Sequence, residues 1–450
     1  MNRKRISFIV FFIVFNLISS QEKWSDTLLI SNNASNRATH YLESNKIIEN
    51  DSIIITTILE FNKNKYYNSL YKVNKKTKKT SKFKFDVTHK DNHSGAAIAV
   101  DSLGYIYVVL GGHHSSIKTY LSKTPWEIND FELLSSLEGK YTYPCLVIDK
   151  NNNIPFLSLR QTKKDNNWTL SFFVLNNKKW KFVSEPIIGN YKKWLKEANP
   201  STMNHTRGYQ NFSSTFQFDK NNRIHLLYRI YEYAPSDFNI CSDAMNPYQK
   251  FGVSYLIGYT YSDDFGNTWN SNNGINIKQI SPKEAIIIKG NTSPEKIMSY
   301  FEISNLILWE DRIPMFLFVE RVKDNHKLFI CKIDKNNGFS FKKIKAPLNY
   351  LAFYKPRIAT NKNNIFFVTS VMRKDQYNRK DTWGGKNNLN FYGTIDPVKL
   401  KIKITDIINI KPSWTATIPY YAVSDLKKHL PVLVNKGFLE SERGEVFLFY

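Results

Sequence analysis

Cysteine is almost absent from this chain. Cys145, Cys241 and Cys331 are the three present. That is too few for a disulfide framework, and an odd number leaves at least one thiol unpaired. No two of them form a CxxC pair, and no ligand set with zinc spacing is visible. Long apolar runs are missing as well: beyond the N-terminus no segment approaches the ~20 apolar residues of a membrane-spanning helix. Amphipathic helical periods are nearly lacking, and Lys192 to Glu197 is the one short helix the pattern suggests. Acidic side chains are outnumbered, with 63 Lys and Arg against 39 Asp and Glu and a net charge of +24. A basic surface concentrates anionic polymers around itself, although a coding bias toward Lys, Asn and Ile produces the same excess. No nucleic-acid module signature accompanies the charge, so an acidic polysaccharide suits it better than nucleic acid. The run Lys75-Lys76-Thr77-Lys78-Lys79 reads as a solvated hairpin.

The N-terminus has the form of an export signal. Asn2-Arg3-Lys4-Arg5 is a basic head, Phe8 to Ile18 an apolar stretch broken by Asn16, and Ser19-Ser20-Gln21 a small-residue cleavage region. Residues 1–21 are therefore expected to be removed and 22–450 to form the mature protein, secreted or periplasmic and without stable membrane insertion. No cysteine follows closely enough to carry a lipid anchor. About 430 residues then remain, enough for one large all-β domain or two to three ordinary ones.

A turn flanked by strands recurs along the chain. Val100-Asp101-Ser102-Leu103-Gly104-Tyr105-Ile106, Ile148-Asp149-Lys150-Asn151-Asn152-Asn153-Ile154 and Phe218-Asp219-Lys220-Asn221-Asn222-Arg223-Ile224 each join two apolar segments. Weaker copies lie at Trp309 to Ile313, Thr360 to Ile365 and Arg443 to Val446. Ile106 and Ile154 are 48 residues apart, and Ile106 to Val446 spans 340, close to seven such steps. This periodicity predicts an all-β β-propeller of seven four-stranded antiparallel blades in a single domain. The terminal Glu445-Val446-Phe447-Leu448-Phe449-Tyr450 is suited to closing the ring against N-terminal residues, which removes open sheet edges. Ser262-Asp263-Asp264-Phe265-Gly266-Asn267-Thr268-Trp269 fits the S-x-D-x-G-x-T-W pattern of an Asp-box. That box is a hairpin device found in propellers of many activities, and it speaks to fold alone.

Four residues on neighbouring segments carry the chemistry: His93, His113 in the run Gly111-Gly112-His113-His114, Tyr143 before Pro144, and Arg160. Two imidazoles, a phenol and a guanidinium can neutralise a sugar carboxylate and move the proton beside it. Their order, with Gly104-Tyr105-Ile106-Tyr107-Val108, Ile117-Lys118, Ser122, Arg207-Gly208-Tyr209-Gln210-Asn211, Arg223-Ile224-His225 and the Asp-box, resembles the BNR-4 type propellers. That group includes the ulvan lyases of marine bacteria, and the resemblance covers roughly residues 90 to 285.

The resemblance implies a propeller that cleaves a uronate-containing, often sulfated polysaccharide by β-elimination, with His93, His113, Tyr143 and Arg160 as catalytic residues. Arg160 would bind both carboxylate oxygens, while Tyr143 and a histidine would serve as base and acid. His113 rather than His114 places Ile117, Lys118 and Ser122 at the family offsets, and the hairpin between Tyr143 and Arg160 is one residue longer than the family pattern. His114, Arg207, Tyr209, Asn211 and Arg229 are the substrate-binding candidates. The elimination needs no cofactor; relatives can hold a structural zinc or calcium ion, for which Cys241 and Asp243 are the candidates here, so the metal is left open. An anionic polysaccharide is the expected partner and a monomer the expected state. Two other readings stand beside this one: a rhamnosidase-like glycoside hydrolase on the same scaffold, and a noncatalytic propeller that grips acidic glycans. His225, Trp126, Trp168 and Trp180 read as packing residues.

Overall fold

The computed structural model describes residues 24–450 apart from 25, 90, 164–167, 190–209, 234–251, 293–295, 323–324, 335–337, 346–349, 362, 377–386, 412, 421–428 and 438–440. The N-terminal segment 1–21, Lys192 to Glu197, Arg207, Tyr209, Cys241 and Asp243 lie outside the described residues. Within them the protein is all-β, with the single 3-10 turn Lys374–Gln376 as its helical element. No helix among the described residues is long and apolar enough to cross a membrane. Cys145 and Cys331 are buried and free.

Antiparallel strands group into sheets of eight, seven, four, two, five and four strands. The seven-stranded sheet is continuous because Phe131–Asp149 serves two neighbours along its length. Its first part pairs with Ser115–Ser122 and its second with Ile154–Thr162. Gly139 lies in the register shift of the first pairing, between Leu137 and Tyr141, at φ +150°, where an added Cβ would lie 2.5 Å from the Tyr141 ring, so a residue with a side chain would be obstructed there.

The chain termini meet in the eight-stranded sheet. Thr27–Ser35 runs antiparallel to Arg443–Phe449, from Thr27 opposite Phe449 to Ser35 opposite Arg443, and reaches Ile53–Asn62 through Ala34 opposite Glu60. The terminal strand thus pairs with N-terminal residues, as expected from its apolar sequence. Glu60 pins this junction from a buried position. It accepts hydrogen bonds from Ser31 Oγ and Ser69 Oγ, both 2.6 Å, and Tyr71 OH at 2.7 Å, and pairs with Lys82 Nζ at 2.7 Å. Burial raises its pKa, but the bonds from Lys82, Ser31, Ser69 and Tyr71 outweigh burial and hold it below the ordinary carboxylate range. A depressed carboxylate stabilises the fold above its unfolded pKa, and that contribution is lost as pH falls through its folded pKa. Acid should therefore lower the thermal midpoint of the wild type more steeply than that of Glu60→Gln, a comparison made by scanning both across the acidic range.

The recurring turns share one device. Asp101 accepts from the backbone N–H groups of Leu103 and Tyr105, Asp219 from those of Asn221 and Arg223, and Asp149 from that of Asn151. In the Asp-box, Asp264 accepts from Ser262 Oγ, the Thr268 N–H and Thr268 Oγ1 at 2.7 to 2.9 Å. Trp269 is fully buried beneath, edge-on to Phe172, with Nε1 donating to Ser184 Oγ at 3.1 Å. Gly266, at φ +91°, leaves no room for a Cβ against Phe172. Asp264→Ala should cost about 1–2 kcal/mol, read as a lower denaturant midpoint.

Residues 36 to 46 form the connection that matters most for the site. Most of this irregular segment is buried, and it bonds to three separate sheets. Thr39 Oγ1 donates to the Thr415 carbonyl, Ser44 Oγ to that of Pro144, and Arg357 Nη2 to that of His40. An irregular buried backbone persists only where its polar groups find partners, and here the neighbouring sheets supply them. The same segment carries Arg37 and Tyr41 to the catalytic candidates.

Candidate active site

Connecting turns and one strand irregularity build the site. His93 lies on the turn between Thr80–His89 and Ala97–Val100, and His113 and His114 lie on the turn between Ile106–Gly111 and Ser115–Ser122. Tyr143 belongs to Phe131–Asp149 at φ +57°. In that pairing Ser158 is opposite Cys145 and Arg160 is opposite Thr142, so Tyr143 and Pro144 together face Leu159. This is a β-bulge, which re-aims a side chain at the cost of one ladder position, and Pro144, with no N–H to lose, fits it. The longer Tyr143-to-Arg160 spacing read from the sequence contains this bulge.

The structure brings His93, His113, Tyr143 and Arg160 together. The His93 and His113 rings stack with centroids 4.4 Å apart, and the His93 and Tyr143 rings are 6.2 Å apart. The Arg160 guanidinium lies 4.4 Å from the Tyr143 ring centroid and 3.8 Å from that of Trp168. Arg160 is 1% exposed, so the two aromatic faces hold its planar head within the protein. Trp168, read from the sequence as packing, is buried and also forms one side of this clamp.

His113 and His114 face different neighbours. His113 Nδ1 donates to Asp91 Oδ2 at 2.9 Å, toward His93. His114, at φ +56°, bonds Thr162 Oγ1 through Nδ1 at 2.9 Å and meets the Trp168 ring edge-on at 4.5 Å. Among the remaining candidates, Arg229 is buried, with Nη1 donating to the Phe301 carbonyl and Nη2 to Ser213 Oγ, both at 3.0 Å. These bonds commit its guanidinium to the scaffold. Asn211 lies on Gln210–Phe218 opposite Tyr231. His225 is buried and bonds the Tyr259 hydroxyl at 2.6 Å, Trp180 is buried with Nε1 donating to Thr119 Oγ1, and Trp126 packs against Gly104.

Three contributors were not foreseen from the sequence. Asp91 bonds His93 Nδ1 as well as His113 Nδ1. Arg37 Nη1 lies 2.6 Å from His93 Nε2 and 2.9 Å from the Tyr41 hydroxyl. Tyr41 in turn stacks on Tyr143 with centroids 4.6 Å apart. The D-x-H spacing of Asp91 and His93 was a usable signal for the first. Arg37 and Tyr41 precede His93 by more than fifty residues and left none.

Burial and the nearby cations set the protonation states. Burial, reinforced by Arg37 and opposed by Asp91, pushes His93 down to about 4. Burial with His113 and Arg160 pushes His114 down to about 4. Asp91 is held well below the usual carboxylate range, because the bonds from His113 and His93 outweigh its burial. Burial raises Tyr41 to about 12. Asp91, His93 and His113 also each present a metal-ligating atom within 4.8 Å of the others.

A model of the BNR_4 family, a BNR repeat-containing family, matches residues 61–305, more than half of the sequence. The chain belongs to the BNR_4 family. Its fold is shared with a PL25 ulvan lyase solved bound to -[GlcA(1-4)Rha3S]-, at TM-score 0.62 and 13% identity over 94% of this chain and 95% of that one. The polysaccharide lyase Uly1 aligns at TM-score 0.58 and 12% identity over 95% and 98% of the two chains. At such identity the likeness establishes for this BNR_4 protein an all-β, propeller-type fold. No curated protein matches its sequence.

Proposed function

We propose that this BNR_4 protein is a secreted polysaccharide lyase that cleaves a uronate-containing, ulvan-like polymer by β-elimination. The observation that carries the reading is the convergence of two imidazoles, a phenol and a clamped guanidinium in one cluster. Arg160, held within the protein against Tyr143 and Trp168, acts on the substrate carboxylate through its positive charge, which makes the C5 proton acidic enough to remove. That proton passes to His113 Nε2, and the C5–H electron pair becomes the C4=C5 double bond. The C4–O pair departs with the oxygen, which takes the proton of the Tyr143 hydroxyl; the proton on His113 then returns to Tyr143 through solvent. No metal is needed for these steps. A glycoside hydrolase of the common kind would need two carboxylates flanking the scissile bond, whereas the cluster among the described residues is built of imidazole, phenol and guanidinium around Asp91.

Seven blades are favoured because the eight-stranded sheet divides into two four-stranded sets, the seven-stranded sheet does so with the long Phe131–Asp149 strand shared between its two sets, and four-stranded or larger sheets begin at Gln210, Tyr300 and Tyr350. Export is favoured by the basic head and apolar stretch of residues 2–18, and an anionic polymer as partner by the net charge of +24. The test is incubation with ulvan and with other uronate polymers. A rise in ultraviolet absorbance from unsaturated uronates is the expected result. New reducing ends without absorbance would mean a hydrolase, and binding without either product a noncatalytic glycan-binding protein.

A further inference from the structure

We propose that Asp91 is a positioning residue that locks His93 and His113 through their Nδ1 atoms, reserving His113 Nε2 for proton exchange with the substrate. The inference rests on the lyase reading and adds to it a division of labour between the two imidazoles. Asp91 sits two residues before His93 on the turn after Thr80–His89, while His113 arrives from the turn between Ile106–Gly111 and Ser115–Ser122. Its carboxylate is the joint between them: Oδ1 accepts from the backbone N–H of His93 at 2.7 Å and from His93 Nδ1, and Oδ2 accepts from His113 Nδ1 at 2.9 Å.

An ionised carboxylate only accepts hydrogen bonds, so both imidazoles must present Nδ1–H to it, and a neutral ring then carries its lone pair on Nε2. The two lone pairs have different fates. That of His93 already accepts from Arg37 Nη1, which also reaches the Tyr41 hydroxyl, and Tyr41 stacks on Tyr143. The His93 ring is therefore occupied at both nitrogens and ties the Asp91 joint to the Tyr143 side of the site. No described residue bonds His113 Nε2, so this is the nitrogen left open to a substrate proton. A bound cation is the competing use of the same three side chains. It would have to displace both Nδ1 protons and sit close to the Arg37 guanidinium, whose charge opposes it.

The substitution Asp91→Asn tests the arrangement. An amide offers one acceptor and two donors, so it cannot accept from both Nδ1–H groups, and one ring must take the Nε2–H tautomer. With ulvan as substrate, kcat should fall by about 10²–10⁴-fold, as for other loss of a tautomer-fixing carboxylate, with KM and thermal midpoint little changed. Asp91→Glu should recover part of kcat, and the acidic limb of the pH–rate profile should move in Asp91→Asn. Selective ¹⁵N labelling of histidine reads the tautomers without turnover: in the wild type His93 and His113 should both be Nδ1–H, and Asp91→Asn should change at least one. Nε2–H tautomers in the wild type, or an unchanged kcat in Asp91→Asn, would overturn the proposal. So would activity removed by a chelator and restored by Zn²⁺, which would make Asp91 a ligand. Nδ1–H tautomers in a wild type that cleaves no uronate polymer would uphold the locking geometry and reject the lyase reading, so the two failures are told apart.

Discussion

Tyr143→Phe should lose elimination almost entirely while folding as the wild type does. The phenol ring is stacked on Tyr41 and faces the Arg160 guanidinium, and phenylalanine keeps both contacts and the volume. Only the hydroxyl goes, and with it the proton that the proposed elimination delivers to the departing C4 oxygen. Acid–base contributions of this kind are typically about 10²–10⁴-fold in rate, and kcat should fall by that much. The strained backbone at φ +57° is met by both residues alike, so the thermal midpoint should move little. Initial rates of ultraviolet-absorbing product, set beside a melting curve, decide the matter. Full activity in Tyr143→Phe would remove the residue from the mechanism.

The second large effect is expected at Arg160. Lysine keeps a charge but lacks the flat guanidinium surface that lies against Tyr143 and Trp168 and so would not hold that charge in the same place. Arg160→Lys should lower kcat/KM by about 10²–10³-fold, the usual size for loss of a group that stabilises developing negative charge. A carboxyl-reduced polymer distinguishes this from general damage. Such a substrate gives Arg160 no carboxylate to neutralise, so wild type and Arg160→Lys should handle it equally poorly. Because Arg160 is 1% exposed, removal of the whole side chain in Arg160→Ala should also destabilise the protein. The lysine variant is therefore the informative one.

Much of the scaffold could be read from residue order because its signals are local. The turn aspartates accept backbone N–H groups two and four residues ahead, and the Asp-box completes its bonds within Ser262 to Thr268. Such bonds form wherever the short motif occurs. The apolar terminal strand likewise pointed to a partner near the N-terminus, and Thr27–Ser35 is that partner. The substrate-binding candidates were harder to judge. Arg229 looks like an available guanidinium in the sequence, and only folding brings the Phe301 carbonyl 72 positions away to occupy it.

The candidate cluster divides along the same line. Residue order alone settled the all-β class, the turn and Asp-box chemistry, and the types and spacing of His93, His113, Tyr143 and Arg160, since each depends on side-chain identity or on contacts a few residues apart. The tertiary structure alone decided that His93 and His113 share Asp91 while His114 turns to Thr162, that Trp168 packs against the Arg160 guanidinium, and that Arg37 and Tyr41 join the cluster. Those outcomes depend on a β-bulge at Tyr143 and on a buried segment, residues 36 to 46, held by hydrogen bonds from three sheets. The partners involved are brought together by the packing of whole sheets, across separations of up to several hundred residues, over which sequence spacing carries no information about direction or distance.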